Sequence, residues 1–283
     1  MATTDMYTIR GNVEPSRHAI RCIGGNSDDY IQVNAAAAAR VAANDTVGTW
    51  TAVVMPGDIT STMTIIGAGD DNVVEFIELN IEAGLLTARC TDATTAQFVT
   101  QADAVGFEPF QWYHVALVQR ADGFGPRLYI NGLPIARTND TTTDVNEWFN
   151  NCDGIDTMRI GAANKAGDAS VTNEFKGFIS DVRIYTDAKS DADIFSIYEY
   201  DMFGIGSNNT TALHNHWDWK NDLVDNGTGA DNGTIVSGAT RTSWACEFTA
   251  RLNWEHGLTL VTADHPRFTI EKGVGYALIT DAA

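Results

Sequence analysis

Positive charge is scarce in this sequence: 18 Lys and Arg stand against 37 Asp and Glu, for a net charge of -19. A polyanion of this kind is repelled by phosphate backbones and anionic lipid, which excludes nucleic acid and membrane surfaces as general partners. Long apolar runs are missing too, and none approaches the roughly 20 residues that a spanning helix needs. The opening Met1 to Arg10 has neither a basic n-region nor an apolar h-region, so no Sec signal is expected there. Cysteine is sparse. Cys22, Cys90, Cys152 and Cys246 form no C-x-x-C pair, their spacing selects none of the three possible pairings, and buried thiols in a chain made in a reducing cytosol are expected. There is no phosphate-cradling loop, no G-x-S-x-G elbow and no basic aromatic patch.

What is present centres on Gln111 to Arg137. Trp112 to Gln119 is a nearly continuous aromatic and aliphatic run broken only by His114, the pattern of a strand buried on both faces. A short loop, A-D-G-F-G-P, leads to Arg127–Ile130 and Leu133–Ala136, which flank Asn131-Gly132. That dipeptide tolerates positive φ at both central positions of a type I′ turn, so a tight hairpin is expected. Short apolar strands punctuated by Gly, Asp and Asn turns recur at Trp50–Met55, Met63–Ile66, Val73–Ile81 and Leu85–Cys90, and later at Thr157–Ile160. Regular spacing of this kind points to an all-β sandwich.

The block W-Y-H-V-A-L followed by L-Y-I-N-G resembles the central signature of laminin G-like domains, which are concanavalin A-like jelly rolls. Asp28 to Val33 is similar to the family's opening strand and Thr49 to Pro56 to its second; Phe175 to Tyr185, with Ser190 and Asp193 beyond, is similar to its closing strand and helix. The resemblance implies a jelly-roll β-sandwich over 19–203, preceded by an arm over 1–18. A linker and strand element over 204–243 would follow it, and then a small C-terminal β region over 244–283. Ala35 to Ala43 has helical composition but stands where the family has a connecting loop, so a single turn or less is expected. Thr138 to Asp156 reads as a surface loop or short helix. Ser190 and Asp193 have capping-box spacing, and Ile194, Ile197 and Tyr198 form a stripe able to dock a helix on the sandwich. His214 to Thr240 is similar to an element that opens many family members; here it follows the domain. It could complete its own sandwich as in a circular permutation, begin a truncated second unit, or cap a neighbouring subunit.

Hydrolases of the same fold carry E-x-D-x-x-E on one strand. The nearest approach, Glu199 to Gly204, lacks the last carboxylate and sits at a helix end, and Glu75 and Glu78 face opposite sides of a strand, so no catalytic residue and no enzyme activity is expected. His214, His216 and Asp218 would share a strand face, but the resemblance accounts for them without a metal, and it likewise places His114 in the core. Rim calcium, common in the family, would fall to Asp70, Asp71 and Asn72, with Asp168 in a second loop. Trp148 and Phe149 are the expected glycan-stacking aromatics. Arg10, Arg17 and Arg21 make the N-terminal stretch locally basic, which suits docking on an acidic neighbour.

Three functions follow. The first is a non-catalytic virion structural protein (capsid decoration, fibre or tail component) with other virion proteins such as a major capsid protein as partners, assembled as a homo-oligomer and located in the virion. The second is an extracellular lectin-like module for cell-surface glycan, with binding that weakens on chelation and on Trp148→Ala. The third, an enzyme acting on polysaccharide, has the least support.

Overall fold

The computed structural model describes residues 17–24, 29–104, 106–165, 171–220 and 222–244. Among these residues sixteen strands and two helices follow one another: β1 (Arg17–Cys22), β2 (Tyr30–Gln32), α1 (Asn34–Ala43), β3 (Gly48–Pro56), β4 (Met63–Gly69), β5 (Phe76–Glu82), β6 (Leu85–Asp92), β7 (Thr95–Ala102), β8 (Tyr113–Gln119), β9 (Arg127–Ile130), β10 (Leu133–Pro134), β11 (Arg137–Thr142), β12 (Thr157–Ile160), β13 (Gly177–Tyr185), α2 (Asp191–Phe203), β14 (Leu213–Trp217), β15 (Thr234–Val236) and β16 (Thr240–Trp244). They form two eight-stranded antiparallel sheets. One runs β10-β9-β8-β3-β13-β1-β16, with β14 also paired to β13; the other runs β11-β7-β6-β5-β4-β12-β2-β15.

Period-2 alternation explains the sandwich. Ile77, Leu79 and Ile81 of β5 face Trp50, Ala52 and Val54 of β3 across one core, while Glu78 and Asn80 point away from it. The hairpin forms as its sequence dictates: Asn131 and Gly132 have φ of 51° and 76°, and Leu133 pairs with Ile130. Outside the first sheet lies α2, whose Ser190 side chain accepts the Asp193 amide while Asp193 receives the Ser190 amide. Ile194 and Ile197 pack on Ala116, Val118, Tyr129 and Tyr185; burying those two side chains contributes about 3 to 6 kcal/mol.

Three expectations are corrected, and one open choice is decided. Residues 34–43 form a ten-residue helix instead of a turn, because the alanine run has the highest helix propensity and buries Ala36 and Ala37, and Asn44 caps it in the left-handed region (φ 56°). Residues 137–142 are a strand, and 95–102, where no element is expected from the sequence, is its neighbour. The strand expected from Val73 begins only at Phe76, behind a turn. Of the three fates open to the element after α2, the chain takes the first: β14 joins β13, β15 joins β2 and β16 joins β1, all within this sandwich. Among the described residues no helix is long and apolar enough to cross a membrane. The C-terminal region expected over 244–283 lies, beyond Trp244, outside the described residues.

Candidate functional site

The residues singled out from sequence do not converge. Trp148 and Phe149 are each 1% exposed and sit in the core, with ring centroids 5.2 and 6.2 Å from that of Trp50. They are not a stacking platform. Their polar loop folds back over the gap between the sheets, and its two large rings fill that gap.

Asp70 is 7% exposed, and its Oδ1 accepts the backbone amide of Asn72 at 2.6 Å; Asp71 accepts from Asn164 Nδ2. These side chains close a turn. Among the described residues no group of three or more His, Cys, Asp or Glu side chains could hold a metal. Asp168 and Arg10 lie outside the described residues, as does the side chain of Arg17. Arg21 is exposed on β1, within a sheet, not on a free arm, between Phe178 and Thr240. His114 is fully buried beneath α2, and His214, on β14, lies 2.8 Å from the Oδ1 of Asn215, whose Nδ2 donates to Asp225 and Asp231.

Next to the Asp70 turn, Glu75 is 6% exposed and accepts the Gly154 amide at 2.8 Å. Burial pushes its carboxyl from 4.5 up to about 7; the Gly154 bond opposes this, and Asp92 and Asp70 add to it. A carboxyl raised on folding holds its proton more tightly in the folded state. Its contribution is therefore complete below pH 4.5 and lost as pH climbs to 7. Urea unfolding should show the native protein losing on the order of 2 kcal/mol across that window. Glu75→Gln should remove that part of the slope; an unchanged slope would refute the assignment.

The arrangement with open chemistry lies at the edge of the sandwich, around the loop between β8 and β9. Gln119, at the end of β8, donates its amide to Val145 O and Glu147 O at 3.1 and 3.0 Å and receives the Arg120 amide on Oε1 at 2.9 Å. The loop then turns through positive φ at Ala121, Gly123 and Gly125. At Gly125 the φ of 75° favours glycine, and an added Cβ would press on the Asn139 side chain at 3.1 Å. Arg137 donates to the carbonyls of Phe124, Gly125 and Pro126 at 2.9, 3.1 and 2.5 Å, and Asn139 donates to Phe124 O at 3.0 Å. The backbone is thus fixed, yet the Phe124 ring is 73% exposed.

Two clefts flank this loop. A 360 Å³ cleft is lined by Phe124, Arg127, Leu128, Pro134, Ile135 and Arg137. The other, of 590 Å³, includes Arg120, Asp122, Ser190 and Asp191. Asp191 divides them: it accepts the Tyr129 hydroxyl at 2.7 Å, Arg120 at 3.0 Å and Arg127 at 3.3 Å. The Tyr129 bond, with the two guanidinium groups, holds the Asp191 carboxyl below the usual range, while burial pushes Tyr129 to about 12. Four of the chain's 18 basic residues, Arg120, Arg127, Arg137 and Lys189, line the two clefts, beside an exposed aromatic side chain. Sequence reasoning passed over this set. Its one local signal was a Phe isolated between two glycines, which has no core face to occupy.

A family model described as the concanavalin A-like lectin/glucanases superfamily matches residues 24–195. No curated protein matches the chain. Among solved structures, the Ruminococcus gnavus IT-sialidase CBM40 bound to α2,3-sialyllactose superposes with a TM-score of 0.53 at 16% identity, over 65% of this chain and 98% of that one. The native heptameric SAP-like pentraxin of Limulus polyphemus gives 0.53 at 12% identity, over 83% and 97%. At such identities the likeness establishes the shared fold.

Proposed function

Since this chain belongs to the concanavalin A-like lectin/glucanase superfamily, we propose that it is a non-catalytic domain that binds glycan in the cleft beside Phe124, with an acidic sugar as the preferred ligand. The observation that carries the reading is the 73% exposed Phe124 side chain, carried on a fixed backbone and standing with Arg127 and Arg137 around one cleft. An aromatic face takes up the C–H face of a pyranose, and a guanidinium fork matches a carboxylate in two hydrogen bonds. The CBM40 with this fold holds a sialylated ligand, which supports a carboxylate-bearing sugar here too. No carboxylate lines the Phe124 cleft, whereas glycoside hydrolysis needs two about 5 to 10 Å apart. This reading replaces the virion role expected first from sequence. Part of the support for that role lay in the N-terminal arm and the C-terminal region, which fall largely outside the described residues, and neither the family nor the structural neighbours speak for it. A glycan partner also favours an extracellular working location.

Titration with sialyllactose and lactose tests the proposal. Binding to the acidic sugar is expected to exceed that to lactose and to weaken about tenfold on Phe124→Ala and at least as much on Arg127→Ala. Phe124 is a surface residue, so its loss should leave stability within about 0.5 kcal/mol. A glycan array with no signal for any sugar, neutral or acidic, would overturn the reading.

A further inference from the structure

Sequence spacing cannot choose among the four cysteines; the fold chooses. Cys90 lies on the core side of β6, between Ile77 and Phe98 of the adjoining strands. Cys152 follows the Trp148-Phe149 anchor, with its amide bonded to Trp148 O at 3.1 Å. The two sulfurs are 3.5 Å apart and both residues are at most 1% exposed. Cys22 is buried on β1, against Gly161 and a different part of the core. We propose that Cys90 and Cys152 are a disulfide-forming pair, a cross-link between β6 and the loop that seals the gap between the sheets.

A disulfide needs its sulfurs at about 2.05 Å, so closure asks for about 1.5 Å of combined approach from the 3.5 Å seen here. The oxidant is a low-molecular-weight disulfide. One cysteine thiolate attacks it, releasing one small thiol and leaving a mixed disulfide; the second cysteine then displaces the other small thiol. Two protein S–H bonds are lost, one S–S bond forms, and the two electrons leave on the two thiols. Because the pair is buried, exchange belongs to folding or to transient opening. Once closed, the link braces the loop under the proposed binding cleft, since Val145 and Glu147 hold Gln119 while Asn146 Oδ1 accepts the Gly123 amide at 2.8 Å.

The test is to refold the full chain in a mixture of oxidised and reduced glutathione, block remaining thiols under denaturing conditions and map the peptides. A Cys90–Cys152 linked peptide, with Cys22 carrying the blocking group, is expected. The oxidised protein should melt about 10 °C above the reduced one, and this gain should vanish in Cys152→Ser but persist in Cys22→Ser. Blocking groups on both Cys90 and Cys152, or a link from either to Cys22 or Cys246, would overturn the inference. The result is independent of any glycan binding.

Discussion

Trp148→Ala will cost the protein about 3 to 5 kcal/mol of stability, the range for emptying a buried aromatic site. The indole is 1% exposed and touches both Trp50 and Phe149, at centroid distances of 5.2 and 5.3 Å. It also packs tightly against Gly48, where an added Cβ would lie 2.9 Å from Nε1. Denaturant unfolding measures the loss directly. A variant within about 0.5 kcal/mol of the native protein, with altered glycan titration, would return this ring to the surface.

A loss of similar size is expected from Asp201→Ala. Asp201 hangs from α2 into the layer between helix and sheet, where its Oδ1 accepts from Arg183 Nη2; both side chains are fully buried. The other guanidinium arm donates to Asn208 O and Oδ1 at 2.8 and 2.7 Å. Removing the carboxylate strands a cation away from water, which costs about 3 to 5 kcal/mol. Replacing both partners at once, Asp201→Leu with Arg183→Met, should cost far less than Asp201→Ala alone, because no unpaired charge is left behind. Equal losses for the single and double replacements would show that the charge pair itself stabilises the helix. Asp201 is also the central carboxylate of the Glu199 to Gly204 near-match to a hydrolase motif, and its burial puts it out of reach of any substrate.

Much of the scaffold was legible because local chemistry forces it. Asn131-Gly132 can turn one way, Ser190 and Asp193 cap one helix end, and the runs at β3, β8 and β13 have nowhere but a core to go. The misses have physical causes. β7 and β11 pair with each other at a sheet edge, so half of each is wet and polar, and the alternation that marks a strand fades. An aromatic pair in a polar loop reads the same whether it anchors the loop or greets a ligand; long-range packing decides, and here it decided for the anchor. The cleft was hidden for the opposite reason. Arg127 and Arg137 come from the starts of two different strands, and only the closed sandwich sets them around Phe124.

The pairing of the earliest strands has a bearing on biosynthesis. Ile20 lies between Ile179 and Arg241, and Ile31 between Ile160 and Ile235. A nascent chain leaving the ribosome therefore carries two strands whose neighbours have not yet been translated, with unsatisfied edges open to any passing peptide. Closure awaits the arrival of Trp244, so maturation should be slow, with strong reliance on chaperones while the chain is incomplete.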